Sequence, residues 1–191
     1  MQQFKKEDIR ISKTKASLIT AFKDLVSIDS YDDVTINDLC KKANIRRATF
    51  YKHFKDKQDF LKFVVSEFWQ KVKNDQSYTG NPDTFKSYTH SIIDYLHSNK
   101  RFIDNVLHSP TGSILPSLFV QQSYEEAKKQ LELRNIKSSK LSVSVNIAAS
   151  IISGGMTTAI LMWYDDGMQS PKDELINEID LAASSLFNNS T

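Results

Sequence analysis

Apolar residues return every three to four positions along most of this 191-residue chain, and no useful length of it alternates apolar and polar residues with period two. That pattern constrains the fold more than any other feature. A period of 3.6 fits one face of a helix, and a period of two fits one face of a strand. An all-α protein is predicted. The breakers agree, since only 5 glycines and 4 prolines interrupt the chain. A first helix is expected from about Ser12 to Ile28, with Leu18, Ile19, Phe22, Leu25 and Val26 on one face. Thr35 and Asp38 place a hydroxyl at an N-cap and a carboxylate at N3, the capping-box pattern, and open a short second helix to Ala43. Asn44 tolerates the left-handed conformation that a tight exit needs. A third short helix is expected from about Arg46 to His53. Asp56 and Asp59 cap a fourth, about 56–73, whose apolar stripe is Leu61, Val64, Val65, Phe68 and Val72.

The stretch "NDQSYTGNPD" then reads as a boundary, dividing a domain over 1–62 from one over 75–191, with the fourth helix connecting them. Asn81-Pro82 is an N-cap and N1 pair for a helix to about Ser98, and "HSPTGSILP" breaks the chain again. Helices are expected from about Pro116 to Arg134 and from about Ser138 to Asp166, the latter stopped by Gly167. Ser170-Pro171 with Asp173 starts the last, which carries Leu175, Ile176, Ile179, Leu181, Ala182, Leu186 and Phe187. About nine helices result.

Charge is distributed unevenly. Residues 1–73 hold 16 Lys+Arg and 10 Asp+Glu, net +6, and the remainder hold 9 and 13, net −4. The asymmetry suggests a basic N-terminal module on an acidic body, and taken alone it is equally a solvated charge pattern. The chain has 1 cysteine, Cys40, and no apolar stretch of signal-peptide length follows "MQQFKKEDIR", so a cytoplasmic protein is expected. Leu141 to Tyr164 runs without a charge, but its serines, threonines, Asn146 and two glycines favour a helix buried all round in a soluble assembly over a membrane span. No phosphate-binding loop, dinucleotide fingerprint, zinc-protease motif or nucleophile elbow is present, so neither an enzyme nor a cofactor is expected. His90 and His97 lie on one helix with no further ligand to complete a metal site, and none is expected.

Two short helices joined by a tight turn make a helix-turn-helix candidate for double-stranded DNA. Ile36, Leu39, Ala43 and Ile45 steady the second helix of the pair, whose N-terminal end carries Arg46, Arg47 and Thr49. Arginine offers a bidentate fork for guanine or phosphate. Lys52, Lys55 and Lys57 are placed for phosphates, as is the N-terminus of the fourth helix. Phe50 and Phe54, four apart, anchor the reading helix, while Tyr51 and His53 lie off that face and join the DNA-contacting set.

At this point "TINDLCKKANIRRATFYKHFKDKQDFL" resembles the DNA-binding segment of TetR-type transcriptional regulators. Thr35, Ile36, Leu39, Ala43, Ile45, Thr49, Phe50, Tyr51, His53, Phe54, Lys57 and Leu61 fall in the family's register, and the likeness covers about residues 12–62. It adds Thr35 to the DNA-contacting residues. Three positions depart from the pattern: Asn44 replaces the usual turn glycine, Cys40 the usual alanine, and Arg46 the usual serine N-cap. The second half resembles the regulatory domain of the dihydroxyacetone-kinase-regulator-like subgroup of TetR-type proteins, through Trp163, Gly167, Ser170, Pro171, Glu174 and Leu175.

The resemblance implies a homodimer built on a four-helix bundle from the last two helices of each subunit. Ala148, Ile152, Gly155, Ala159, Ile176, Ile179 and Ala183 are candidates for that interface. It also implies a ligand pocket whose occupation shifts the spacing of two reading heads on a palindromic operator. Phe85, Tyr88, Tyr95, Phe102, Phe119, Met156, Ile160 and Trp163 are candidates to line it, although no buried charge or clear polar cluster in the sequence names a ligand. A bacterial repressor released by an effector, a small molecule or a protein, that binds the C-terminal domain is the leading expectation. An activator of the same fold that answers to a protein partner remains open, as does an all-α interaction protein without DNA binding.

Overall fold

The computed structural model describes residues 2–74, 85–136 and 143–185, with the backbone alone for residues 2–9, 73, 112–113 and 133–136. Among them are the helices α1 (Gln2–Val26), α2 (Ile36–Lys42), α3 (Arg47–Tyr51), α4 (Lys57–Asn74), α5 (Phe85–Ser98), α6 (Lys100–Leu107), α7 (Leu115–Ile136), α8 (Val145–Asp165) and α9 (Lys172–Ser185). A 3₁₀ segment, Pro110–Ile114, precedes α7, and no strand is found among the described residues. The expected helix starts at Asn81-Pro82 and at Ser138, and Leu186 and Phe187, lie outside the described residues. Helix α1 begins at Gln2, ten residues before the expected start at Ser12. Gln, Lys and Glu are good helix formers, and periodicity marks only the part of a helix that is buried.

The chain forms two compact units, Met1–Val65 with Asn99–Leu115, and Ser66–Ser98 with Pro116–Thr191. The first unit is not contiguous in sequence, because α6 and the 3₁₀ segment belong with it. Its core is aromatic. Phe22 of α1, fully buried, meets Tyr31, Phe60 and Phe102 edge-on at centroid distances of 6.0, 5.4 and 5.5 Å. Burying each ring is worth about 2 kcal/mol, and each edge-on pair adds about 1 kcal/mol. Three hydrogen bonds tie α6 and the 3₁₀ segment to the α1 end and the loop after it. The Tyr31 amide donates to the Asn105 carbonyl at 2.9 Å, Asn105 Nδ2 donates to the Val26 carbonyl at 2.8 Å, and the Thr111 amide donates to Asp32 Oδ2 at 3.1 Å.

In the second unit α9 packs against both α5 and α8. Phe85, Ala127, Leu131, Ala148, Ala149, Ile152 and Ala183 form one buried cluster. Helix α8 ends in a Schellman motif: the Met168 amide donates to the Trp163 carbonyl at 2.9 Å and the Gly167 amide to the Tyr164 carbonyl at 3.0 Å, with Gly167 at φ 78°. By length and composition α8 is apolar enough to cross a membrane, and only 39% of its most apolar window is buried. It is therefore not covered all round within the chain. Ile147, Ile151 and Met162, 53%, 53% and 67% exposed, face outward.

Candidate nucleic-acid interface

The α2–turn–α3 unit is built by caps at both ends. At the start of α2 the Thr35 hydroxyl accepts from the Asp38 amide at 3.2 Å, and Asp38 Oδ2 accepts from the Thr35 amide at 3.0 Å, closing the capping box. The Thr35 hydroxyl also donates to Asp38 Oδ2, and that bond, followed by the one from the Thr35 amide, holds the Asp38 carboxyl below its usual range. At its end the Ile45 amide donates to the Cys40 carbonyl at 2.9 Å and the Asn44 amide to the Lys41 carbonyl at 3.2 Å, a second Schellman motif. Asn44 takes the left-handed position with φ 53°. Helix α3 then starts behind Arg46, whose extended backbone occupies the N-cap with no side-chain cap bond.

Below α3 the anchor is aromatic. Phe50 is fully buried and Phe54 5% exposed. Phe50 lies 5.5 Å from Phe54 and 5.8 Å from Phe60. Above it, Arg46, Arg47, Ala48, Tyr51 and Lys52 are all exposed, and Lys55 follows on the same loop. Arg47 Nη2 donates to the Tyr51 hydroxyl at 3.2 Å while its guanidinium sits 5.5 Å from that ring's centroid. The bond to Tyr51 holds the Arg47 guanidinium further above its ordinary pKa. Thr49 and His53 are half-buried, His53 lying against Phe54 at 6.2 Å.

Three expected contacts are used differently. The ammonium of Lys57 donates to the carbonyls of Tyr31, Asp32 and Val34 at 2.7, 3.2 and 2.9 Å and lies 4.3 Å above the Tyr31 ring. An ammonium has three protons, so none is left for a phosphate in this geometry. The Thr35 hydroxyl is committed to its cap. At the N-terminus of α4, Asp56 Oδ1 already accepts from the Asp59 amide at 2.7 Å and Asp59 Oδ2 from the Lys55 amide at 3.0 Å. Two carboxylates there oppose a phosphate. Ala48 and Lys41 are also exposed on the pair; neither carries a motif signal of its own.

Of the residues expected to line a pocket, Phe85, Tyr88, Tyr95, Phe119, Met156, Ile160 and Trp163 fall in the second unit. Phe102 does not: it packs on Phe22 in the first unit, because α6 folds with that unit. Phe68 lies 4.4 Å from Tyr95 and 5.6 Å from Phe119, and burial pushes the Tyr95 hydroxyl up. Trp163 Nε1 donates to the Ser170 carbonyl at 2.9 Å, whereas the buried Trp69 Nε1 has no partner among the described residues. Glu126, 4% exposed, accepts from Gln130 Nε2 at 3.3 Å in the second unit. Helix α7 has almost no amphipathic bias, so nothing in its pattern marks that face as inward.

The expected interface residues Ala148, Ile152, Ile176, Ile179 and Ala183 are buried within the chain, while Ala159 is half-buried and Gly155 exposed. Between α8 and α9 lies an apolar depression of about 320 Å³ lined by Ile151, Ile152, Gly155, Met156, Ala159, Leu175, Glu178, Ile179, Ala182 and Ala183. A Cβ added at Gly154 or Gly155 would meet nothing within 4 Å. Among the described residues no group of three His, Cys, Asp or Glu side chains is placed to hold a metal.

Residues 18–64 match the model for bacterial regulatory proteins of the tetR family, and residues 83–184 match that for a transcriptional regulator C-terminal region. A transcriptional activator of the dhaKLM operon, DhaS of Lactococcus lactis subsp. lactis (strain IL1403), is 28% identical over 94 residues, 49% of this chain and 48% of that protein. An uncharacterised HTH-type transcriptional regulator, YxbF of Bacillus subtilis (strain 168), is 33% identical over 82 residues, 42% of this chain and 22% of that protein. These alignments span less than half the length of both curated relatives. Among solved structures, the dihydroxyacetone kinase operon activator DhaS superposes with a TM-score of 0.67 at 18% identity, covering 91% of this chain and 96% of that one. RolR in complex with resorcinol superposes at 0.60 and 18% identity, covering 95% and 96%.

Proposed function

Because this chain belongs to the TetR family of transcriptional regulators and carries its DNA-binding helix-turn-helix, we propose that it acts in the cytoplasm as a homodimeric repressor, released from a palindromic operator by an effector held in its second unit. It is a regulator and not an enzyme. The observation that carries the proposal is the solvent-facing row of Arg46, Arg47, Tyr51 and Lys52 on a helix anchored from beneath by Phe50 and Phe54. A rigid basic helix of this kind suits the major groove.

Dimerisation through α8 and α9 is supported by what those helices leave uncovered. Glycine inside a helix costs about 1 kcal/mol relative to alanine, and Gly154 and Gly155 meet no neighbour within the chain that would require it. A second copy seated on the depression would cover Ile151, Gly155 and Ala182 and give the two-fold axis that a palindrome needs. The effector reading draws on the buried Trp69 indole, which lies beside Phe68 and Phe119 in the second unit. RolR, a fold neighbour, is seen with resorcinol, which favours a small molecule. A second reading, an activator of the same fold controlled by a protein partner, is favoured by the likeness to an operon activator.

Fluorescence anisotropy with random duplex DNA and with the region upstream of the protein's own gene tests DNA binding. Affinity should fall linearly in log–log form with salt, about tenfold or more between low and physiological salt, with the upstream region preferred. No binding even at low salt rejects the reading in favour of an interaction protein. In vitro transcription from the upstream promoter should fall on adding the protein; a rise selects the activator.

A further inference from the structure

The exposed face of α3 carries two arginines, and only one of them is held in place. Arg46 occupies the N-cap with no side-chain bond to the helix it precedes. Arg47, one residue later, is tied to Tyr51 in two ways: Nη2 donates to the hydroxyl at 3.2 Å, and the guanidinium lies 5.5 Å from the ring centroid. The two are four apart, so they share one helix face. The Tyr51 ring itself meets Phe50 edge-on at 5.5 Å, and Phe50 is fully buried against Phe60. A line of aromatic contacts therefore runs from the core of the first unit to an exposed guanidinium.

The consequence lies in the stereochemistry of arginine. A guanidinium presents two edges that each offer a pair of parallel N–H bonds, one shared by Nε and Nη2 and one by Nη1 and Nη2. Nη2 contributes one proton to each edge. Whichever of its protons goes to Tyr51, the other edge stays complete. A complete edge matches O6 and N7 of guanine in the major groove, and holding it in advance lowers the rotamer entropy lost on docking. The same edge also fits a phosphate, so the two contacts are told apart by whether a loss of Arg47 falls on one guanine or equally on all sequences.

We infer that Arg47 reads one guanine in each half-site through its free two-proton edge, and that Tyr51 is its positioning residue. The inference rests on the DNA-binding reading above. It places sequence discrimination on Arg47, while Arg46, Lys52 and Lys55 supply charge that is indifferent to sequence.

The test begins with the full-length protein and a random duplex library, from which preferred sites are selected. Each guanine of the selected site is then replaced in turn by 7-deazaguanine, which lacks the N7 acceptor, and affinity is measured at one salt concentration. For the unaltered protein one guanine per half-site should lose about tenfold in affinity on this replacement. In Arg47→Ala the same replacement should change affinity less than about twofold, and Arg47→Lys, which has no two-proton edge, should not restore it. Tyr51→Phe keeps the ring and loses the hydroxyl, so the penalty at that guanine should shrink to about threefold. In an Arg47→Ala background Tyr51→Phe should do nothing further at it.

Two results overturn the inference while leaving DNA binding intact. One is a loss in Arg47→Ala that is uniform over all sequences, with the salt slope lowered by about one, which makes Arg47 a phosphate contact. The other is a Tyr51→Phe effect that persists undiminished without Arg47, which makes Tyr51 a DNA contact in its own right. Failure of the unaltered protein to select any site overturns the DNA-binding reading, and this inference with it.

Discussion

Replacing Lys57 by methionine keeps most of the side-chain volume and removes the ammonium that gathers the carbonyls of Tyr31, Asp32 and Val34. Tyr31 and Val34 are 0% and 3% exposed, so their carbonyls have poor access to replacement water. Leaving a buried acceptor unpaired costs about 1–3 kcal/mol. Taking about 1.5 kcal/mol for each of those two and little for the half-exposed Asp32 gives a loss of about 3 kcal/mol. Urea denaturation at one fixed protomer concentration measures it, with an unchanged m-value showing that the folded state is otherwise intact. Under conditions where the variant remains folded, its salt slope for DNA should equal that of the unaltered protein, because this ammonium has no proton left for phosphate. A destabilisation below about 1 kcal/mol together with a slope lowered by about one would refute the reasoning and return Lys57 to the phosphate-facing set.

Three further outcomes are expected. Burial, with Asp32 and Asp56 nearby, pushes the Tyr31 hydroxyl up to about 12 from 10.0. Its folded-state pKa exceeds the unfolded one, so its contribution to stability is complete below about pH 10 and is lost as pH rises toward 12. Lys57, whose pKa burial lowers, acts with the opposite sign in the alkaline range. The difference in pH dependence between the unaltered protein and Tyr31→Phe isolates the tyrosine, and a constant difference from pH 9 to 12 counts against the shift. Ile151→Asp, at a position 53% exposed on α8, should convert a dimer to a monomer in sedimentation equilibrium without unfolding the chain; an unaffected dimer removes α8 from the interface. Asn44→Ala should lose about 1 kcal/mol in thermal unfolding because its φ is 53°, whereas Asn44→Gly should lose almost nothing; equal effects mean the turn is not the source.

The legibility of the molecule in its sequence follows from the range of the forces involved. Caps and turns act over four residues, so Thr35 with Asp38, the left-handed Asn44 and the missing cap at Arg46 are all legible in the local sequence. Phe50 and Phe54 were readable as the inner face of the reading helix for the same reason, since their spacing alone puts them on one side. The uses of Lys57 and Phe102 were not. Lys57 donates to carbonyls that lie 23 to 26 residues away, and Phe102 meets Phe22 across 80 positions because α6 folds with the first unit. The outward face of α8 was equally hidden. A helix that is apolar on nearly every side has no period to choose a direction, and only packing turned Ala148 and Ile152 inward and left Ile147 and Ile151 outside. Local hydrogen bonding and hydrophobic period therefore determined the all-α class, the helix-turn-helix and the basic reading face from the sequence by itself. Tertiary structure alone decided which cations remained free and which apolar side was left uncovered, because both depend on partners distant in the chain that no local spacing records.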